Sequence, residues 1–377
     1  MEREDDRVPV NLLTGFLGAG KTTLLNRLIR NPDAGRIAVV MNEFGDIGLD
    51  HDLIEEATEE TVLMQSGCLC CSIRGDLAKT MASLMARRKH GDLTFDRVVI
   101  ETTGIADPGP IHHTLVVDQL IAPYYRMDGI VTLADAANGP RTLDAQFEAV
   151  NQVAMADLLV ITKADLVTSS ELDRLKSRLH GINSTAQIVL GDHGRIAPSR
   201  LFELTAMRES VTSDELSDWL GISGSKPDPL AGLSGLTLKP PTAQPMGGPL
   251  HAHHDSRIGS ASIEVADPIP AEVFDFWLDT LIALKGPDIL RIKGIVHVED
   301  IEWPFVFHGV QHIFDAPVPL KFWSGKDTAS RVVVIARDID KSDLKSSLET
   351  LRIRPQETRA DDMLAHVDCL HDSGLTL

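Results

Sequence analysis

The sequence has few cysteines, few aromatic residues and no long uninterrupted apolar stretch. Only four cysteines and a 5% share of aromatic residues occur in 377 residues. Even the apolar run around Trp277–Leu284 is interrupted by Asp279, so no stretch approaches the roughly 18 apolar residues of a membrane span. The first residues, Met1–Arg7, are charged and lack the apolar centre of a secretory signal. We therefore expect a cytoplasmic protein without a membrane segment.

Basic residues are also scarce compared with acidic ones. The chain has 36 Lys and Arg against 55 Asp and Glu, a formal net charge of −19. A surface this acidic repels the phosphate backbone of nucleic acids and the anionic lipids of membranes. The remaining composition, 43% hydrophobic and 24% charged, is typical of a globular protein with a substantial core. We expect neither nucleic acid nor membrane among its partners.

Three of the four cysteines lie within four residues, as Cys68, Cys70 and Cys71. A disulfide inside so short a loop would strain the bridge geometry, whereas clustered thiolates are soft ligands that suit Zn²⁺ or Cu(I). Three thiolates leave one position of a tetrahedral zinc site open. The carboxylates of Glu43 and Asp46 lie upstream and could also ligate the metal. We predict a zinc site, with Co²⁺ and Ni²⁺ as open alternatives and buried structural cysteines as the competing interpretation.

The segment GFLGAGKT, Gly15–Thr22, has the spacing GxxxxGK[ST] between an apolar strand pattern and a helical pattern. Its glycines let backbone N–H groups surround phosphate oxygens, and the following helix N-terminus adds a positive dipole. We therefore predict a phosphate-binding loop in which Lys21 reaches the β- and γ-phosphates and the Thr22 hydroxyl ligates Mg²⁺. Nucleotide contacts are expected from Gly15, Gly18, Ala19, Gly20, Lys21, Thr22 and Thr23.

A second acidic partner for this loop follows the apolar strand pattern Arg97–Ile100. Glu101 can hold Mg²⁺ directly or through water, and the backbone N–H of Gly104 can approach a γ-phosphate. An ordered water is the expected nucleophile. Candidates to position it are Glu43, Asp46 and the Gly104–Asp107 loop. We assign the catalytic roles to Lys21, Glu101 and Glu43.

The segment Thr162-Lys163-Ala164-Asp165 follows another apolar strand and is similar to the guanine motif NKxD. The Asp165 carboxylate can accept hydrogen bonds from guanine N1–H and the 2-amino group, a pair of donors that adenine does not present. The stem of Lys163 can lie along the base. Thr162 replaces the asparagine of the motif. GTP is therefore favoured over ATP, and a helix-capping aspartate is the alternative role for Asp165.

Strand and helix patterns alternate from Val8 to about Leu190 and restart near Arg257. The alternation predicts an α/β fold with a doubly wound, mostly parallel sheet of the P-loop NTPase type, followed by a smaller α+β domain. Between them, residues 221–249 contain six Gly and six Pro, which indicates a linker. The expected division is a charged tail at 1–7, a GTPase domain at 8–220, a linker with a short His cluster at 221–256, an α+β domain at 257–352 and a polar tail at 353–377.

The motifs GFLGAGKTT, NEFG, GCLCC, ETTG and TKAD occur in this order, and the chain thereby resembles the CobW-like GTPases, relatives of the nickel-handling UreG and HypB. The resemblance covers residues 8–210 as the GTPase domain and 257–352 as the C-terminal domain. It implies GTP binding and slow hydrolysis coupled to delivery of a transition metal, often zinc, to a client metalloprotein. It also implies that Cys68, Cys70 and Cys71 carry the metal motif. Thr162 and the short His stretch depart from the family pattern.

Other interpretations stay open at this point. An ATP-dependent small-molecule kinase could use the same phosphate loop, and a regulatory GTPase could carry zinc for structural purposes alone. The histidines His251, His253 and His254 fit either a metal-capture arm or an incidental polar linker. The metal used in the cell, the client protein and the oligomeric state, a homodimer among them, are not decided by sequence.

Overall fold

In the computed structural model, the residues described are 5–42, 63–64, 73–204, 219–220, 257–321 and 329–355. Several of the predicted metal-site and linker residues lie outside them: Glu43, Asp46, Cys68, Cys70, Cys71, His251, His253 and His254. Within the described ranges, no helix is long and apolar enough to cross a membrane.

Seven parallel strands form the first sheet of the described chain. They are β1 (Val8–Gly15), β2 (Ile37–Asn42), β3 (Leu63–Met64), β4 (Arg97–Thr102), β5 (Tyr125–Asp135), β6 (Leu158–Thr162) and β7 (Gln187–Leu190). Their spatial order is β3-β2-β4-β1-β5-β6-β7. The chain therefore winds outward on both sides of β1, with β4 on one side and β5 on the other. A sheet of this topology binds ligands at the carboxyl ends of the strands where the order reverses.

Helices cover both faces of this sheet. They are α1 (Lys21–Ile29), α2 (Ile73–His90), α3 (Gly109–Val117), α4 (Gly139–Ala145), α5 (Phe147–Met155), α6 (Ser169–Ile182) and α7 (Pro198–Leu201). Leu158–Ile161 in β6 are fully buried, which explains why this strand is an apolar run without alternation. The predicted doubly wound α/β fold is confirmed.

Of two helix predictions from the sequence, the start of α6 is confirmed and a single helix across α4 and α5 is not. Thr168 and Glu171 form a capping box at the start of α6, as the sequence predicts. The helical pattern in the sequence predicts one helix over Asp144–Ala154. That prediction is wrong, because Gln146 is extended at φ −131° and ψ 111° and separates α4 from α5. After this break, every residue of α5 from Ala149 to Met155 is buried.

The second sheet is antiparallel and belongs to the C-terminal domain. Its strands are β8 (Ile258–Val265), β9 (Ile289–Val296), β10 (Phe305–Val310), β11 (Ile313–Phe314), β12 (Val318–Pro319) and β13 (Ser330–Arg337). The order is β11-β10-β9-β13-β8, and β12 pairs with β10. Helices α8 (Ala271–Lys285) and α9 (Lys341–Glu349) contribute Trp277 and Leu344 to a core that also holds Ile292 and Val296 of β9. The predicted smaller α+β domain is confirmed.

The other face of β9 packs on the first domain through buried charges. Asp157, directly before β6, forms an ion pair with Arg291, and its Oδ1 lies 3.4 Å from Nζ of Lys293. Arg291 also donates to the backbone oxygen of Met155 at 2.6 Å. Burial lowers the pKa of Lys293 to about 7, although the charge of Asp157 opposes the shift. The Asp157 carboxylate thus pairs with both charged side chains of β9. It lies at the end of the first sheet opposite the phosphate loop.

A second interdomain contact joins α3 to β10. Nε2 of His308 lies 2.5 Å from Oδ2 of Asp315, and Nε2 of His112 lies 3.7 Å from the same oxygen. Burial lowers the pKa of His308 to about 4 despite the neighbouring carboxylate. Burial raises the pKa of Asp315, but the interactions with His112, His308 and Arg291 outweigh it and hold the pKa at about 2.

We expect this contact to make the folded protein sensitive to acid. Because the pKa of His308 is about 4 in the folded chain and near 6.5 when unfolded, the unfolded state takes up a proton first as the pH falls. The free energy of unfolding should then decrease by about 2 to 3 kcal/mol between pH 6.5 and 4. Asp315 adds a further loss below its unfolded pKa near 3.8. Urea unfolding at several pH values measures this dependence.

The control for the acid prediction is His308→Gln, which removes the titrating ring and keeps a polar side chain of similar length. Its free energy of unfolding should depend less steeply on pH between 6.5 and 4 than that of the unmodified chain. Equal slopes for the two proteins would contradict the assignment to His308.

Candidate functional site

The phosphate loop connects the carboxyl end of β1 to the first turn of α1. Gly18 and Gly20 have φ values of 74° and 98°, in the left-handed region that favours glycine. Gly20 is also the N-cap of α1 and makes no side-chain cap hydrogen bond. The N–H groups of the first helical turn therefore have no capping side chain, as expected for a helix end that holds an anion.

The Lys21 side chain lies over this loop. Its Nζ donates to the backbone oxygen of Gly15 at 2.8 Å and to that of Phe16 at 3.4 Å. Only 8% of the residue is exposed, so the ammonium group is held close to the loop instead of extending into solvent. This position places a positive charge where phosphate oxygens would meet the loop N–H groups.

The predicted Mg²⁺ ligands are in contact with each other. The Thr22 hydroxyl donates to Oε1 of Glu101 at 3.1 Å. Glu101 is a buried residue near the end of β4, opposite Leu13 of β1 and Met41 of β2. A hydroxyl and a carboxylate are the oxygen ligands that Mg²⁺ prefers. Thr22 and Glu101 therefore fit the ion that the phosphate loop implies.

Residues 103–108, the β4–α3 loop, pack directly on the phosphate loop. A Cβ atom at Gly104 would lie 2.5 Å from the backbone nitrogen of Leu17, so only glycine allows this approach. At the end of the loop, Oδ1 of Asp107 accepts from the backbone N–H of Gly109 at 2.8 Å and helps to start α3. The structure thus brings Gly104 beside the loop that is predicted to hold the phosphates.

The predicted base-recognition residues also connect to the phosphate loop. The Thr162 hydroxyl donates to the backbone oxygen of Ala19 at 2.8 Å, and Nζ of Lys163 donates to that of Gly18 at 2.8 Å. Lys163 has a positive φ of 55°, and Asp165 follows on an exposed 3₁₀ turn. Thr162 therefore anchors the loop, and the exposed Asp165 carboxylate is accessible to a ligand from solvent.

Asp135 is a site residue that the sequence analysis missed. Its Oδ2 lies 2.7 Å from Nζ of Lys163, and its Oδ1 accepts from the backbone N–H groups of Ala137 and Asn138 at 2.8 and 3.0 Å. Burial raises the pKa of Asp135, but these hydrogen bonds outweigh it and lower the pKa overall. The available signal was its position at the carboxyl end of a central strand, the same signal that identified Glu101.

A groove of about 930 Å³ adjoins the phosphate loop. Its lining includes Thr22, Thr23 and Arg27 of α1, Arg30 directly after that helix, and Arg195. The volume is sufficient for a small-molecule ligand. The chain as a whole has a net charge of −19, but three arginines line this groove. We therefore expect the groove to attract anions.

The predicted transition-metal site is not tested by the described residues. Among the residues that the structure describes, no group of three or more His, Cys, Asp or Glu side chains is arranged to hold a metal ion. The predicted ligands Glu43, Asp46, Cys68, Cys70 and Cys71 lie outside those residues. The transition-metal site therefore stays a prediction from the sequence.

Comparisons with known proteins agree with this geometry. Residues 9–190 match the family described as CobW/HypB/UreG, nucleotide-binding domain, and residues 258–352 match the cobalamin synthesis protein cobW C-terminal domain. The zinc chaperone YjiA of Escherichia coli is 29% identical over 92% of this chain and 99% of its own. The zinc-regulated GTPase metalloprotein activator 1 of Schizosaccharomyces pombe is 32% identical over 89% and 84%. The crystal structure of Zn(II)-bound YjiA GTPase superposes with a TM-score of 0.65 at 26% identity, covering 92% of this chain and 99% of that one.

Proposed function

Because the chain belongs to the CobW/HypB/UreG family of nucleotide-binding proteins and carries a CobW C-terminal domain, we propose that it is a GTP-hydrolysing metal chaperone. It binds GTP with Mg²⁺ and uses hydrolysis to control binding and delivery of a transition metal, zinc in the first place, to a client metalloprotein. Relatives named as zinc chaperones and as a zinc-regulated GTPase metalloprotein activator support this proposal. The observation that carries it is the convergence of Lys21, Glu101 and Lys163 on one phosphate loop.

In this proposal, hydrolysis depends on electrostatic stabilisation of the transferring phosphoryl group. The Lys21 ammonium and the N–H groups of the phosphate loop face the charge that develops on the γ-phosphate oxygens. The Thr22 hydroxyl and Glu101 would hold Mg²⁺, which would supply positive charge to offset that of the phosphates. The buried carboxylate of Glu101 orients that hydroxyl through the 3.1 Å hydrogen bond between them. Glu43 stays a candidate for positioning the water.

Guanine is selected mainly by one carboxylate. Asp165 accepts from N1–H and the 2-amino group, and Lys163, held by Asp135 and Gly18, presents its stem to the base. The Thr162 hydroxyl is already used on the Ala19 backbone oxygen. Because a hydroxyl has a single donor and this one is used on Ala19, Thr162 cannot also donate to the purine, as an asparagine amide with two N–H donors could.

The proposed metal residues begin at the nucleotide edge of the sheet. In the parallel pairing of β2 with β4, Met41 lies opposite Glu101 and Asn42 opposite Thr102. Glu43 therefore follows a strand that ends beside the Mg²⁺ ligand, and the chain reaches Cys68, Cys70 and Cys71 before α2. This continuity supports a coupling in which loss of the γ-phosphate changes the metal affinity of the cysteines.

The test is the zinc affinity of the purified chain with GDP and with a non-hydrolysable GTP analogue. We expect the two affinities to differ by about 5- to 100-fold, and bound zinc to change the analogue-to-GDP affinity ratio by the same factor. Cys70→Ser should abolish the difference. Cys369→Ser, which changes a cysteine outside the cluster, is the matched control and should retain it.

Two results would contradict the proposed coupling. One is equal zinc affinity in the two nucleotide states. The other is unfolding of the chain when zinc is removed in the presence of nucleotide, because zinc would then serve the fold itself.

A further inference from the structure

Gln152 is a buried polar residue that belongs to none of the sequence motifs. It lies on α5 with 1% of its surface exposed. Its Nε2 donates to the backbone oxygen of Gly104 at 3.2 Å and to that of Ala106 at 3.0 Å. Both acceptors belong to the β4–α3 loop. A single amide thus binds this loop at two points, 48 and 46 residues earlier in the chain.

The backbone around Gln152 is held from both domains. The Thr132 hydroxyl of β5 donates to the backbone oxygen of Gln152 at 2.9 Å. Three residues later, the backbone oxygen of Met155 accepts from Arg291 of the C-terminal domain at 2.6 Å. The amide of Gln152 is therefore presented from a helix whose position is set by the parallel sheet and by the C-terminal domain. Such support is what keeps a group in a fixed geometry at a reaction site.

The loop that Gln152 holds is the one nearest to the phosphate loop. A Cβ at Gly104 would lie 2.5 Å from the Leu17 backbone nitrogen, so the two loops are already in contact. Because the peptide unit is planar, a shift of the Gly104 carbonyl moves the N–H of Ile105 with it, and a shift of the Ala106 carbonyl moves the N–H of Asp107. The hydrogen bonds from Gln152 therefore determine where those N–H groups stand relative to a γ-phosphate.

The second polar atom of the Gln152 amide has no described donor, a feature that it shares with Oδ1 of Asn151. Oε1 of Gln152 is buried and accepts no hydrogen bond from the residues that the structure describes. A buried acceptor without a donor is costly and calls for a partner in another state of the site. The β4–α3 loop, whose carbonyls the same amide binds, would supply new donors if its N–H groups turned towards Oε1 in the nucleotide-bound state.

We propose that Gln152 is a positioning residue for GTP hydrolysis, which holds the β4–α3 loop through Gly104 and Ala106 and sets its response to the γ-phosphate. The inference rests on the proposed GTPase function and deepens it. Gln152 contacts neither phosphate nor Mg²⁺ in this assignment. It acts through the backbone of Gly104, so its loss should affect the GTP state more than the GDP state.

The test compares Gln152→Met with Asn151→Leu in the full chain. Methionine keeps the length of the side chain and removes both amide atoms. Asn151 is the adjacent buried polar residue on α5, with 8% exposure and no hydrogen bond to the β4–α3 loop. Gln152→Met also leaves the backbone oxygens of Gly104 and Ala106 without this donor, whereas Asn151→Leu removes a buried amide that does not bind the loop. The melting temperature of each variant is therefore measured, and their kinetics are compared at a temperature at which both are folded.

We expect Gln152→Met to lower kcat for GTP hydrolysis by about 10- to 100-fold, as misplacement of a supporting group does. The affinity ratio between a non-hydrolysable GTP analogue and GDP should fall by about tenfold while GDP affinity itself stays within about twofold. Asn151→Leu should leave the ratio and kcat within about twofold of the unmodified chain.

The outcomes separate the inference from the proposal on which it rests. If the unmodified chain hydrolyses GTP and Gln152→Met matches Asn151→Leu in kcat and in the affinity ratio, Gln152 is structural and the inference is overturned. If the unmodified chain binds no GTP, the proposed function fails and the inference fails with it.

Discussion

Replacing Lys21 with alanine is expected to lower kcat/KM for GTP hydrolysis by about a thousandfold, because it removes the fixed charge that faces the transferring phosphoryl group. The ammonium group is held over the phosphate loop by the backbone oxygens of Gly15 and Phe16. No other lysine described in the chain occupies that position, since Nζ of Lys163 binds Gly18 and Asp135. Steady-state phosphate release with saturating Mg²⁺ measures the effect.

The matched control for Lys21→Ala is Lys176→Ala. Lys176 lies on α6 and forms a surface ion pair with Asp173 at 3.6 Å, which contributes little to stability. Its replacement should leave kcat/KM within about twofold of the unmodified chain. Equal activities of Lys21→Ala and Lys176→Ala would show that the phosphate loop does not catalyse the reaction as proposed.

Asp165→Asn is expected to weaken GTP binding by about 10- to 100-fold, the range for losing a hydrogen bond to a charged group. The asparagine amide has one acceptor oxygen, whereas the Asp165 carboxylate has two. The variant can therefore keep only one of the two hydrogen bonds that the carboxylate accepts from guanine. The same variant should bind xanthosine triphosphate more tightly than the unmodified chain does. Xanthine keeps N1–H and carries a carbonyl in place of the 2-amino group, so it matches the oxygen and the NH₂ of the new amide.

Competition of GTP, xanthosine triphosphate and ATP for a fluorescent nucleotide measures this exchange of specificity. Asp173→Asn, on the exposed face of α6, is the control and should leave all three affinities unchanged. Two observations would refute the role of Asp165: unchanged GTP affinity in Asp165→Asn, or an unmodified chain that prefers ATP. The second would favour the kinase alternative.

Much of the fold and the phosphate site could be predicted because the deciding contacts are local. The phosphate loop needs glycines at Gly18 and Gly20 and a helix that starts at Lys21, and all of these lie within one short segment. The strand β6 is recognisable because burial on both faces makes it continuously apolar. Glu101 follows from a general property of parallel sheets, in which strand ends meet at one edge.

The residues that the sequence analysis missed act through contacts between distant segments. Asp135 holds Lys163 from 28 residues away, and Gln152 reaches Gly104 across 48. In the sequence, Thr162 indicates only a weakened guanine motif. In the structure, its hydroxyl donates to the backbone oxygen of Ala19, which lies 143 residues earlier in the chain. Glutamine, aspartate and threonine are also common at the protein surface. The local sequence therefore does not distinguish a side chain that holds a distant loop from one that is simply exposed to solvent.

The sequence alone predicted where the strands run, which loop is expected to hold a phosphate and which carboxylates are proposed for Mg²⁺ and guanine. Those features depend on backbone conformation and apolar periodicity within a few residues. Only the tertiary structure decided that Asp157 neutralises the two cations of β9 and that the C-terminal domain holds the helix that carries Gln152. A buried polar group must find a partner, and which of many candidates it meets is decided by the packing of the two domains.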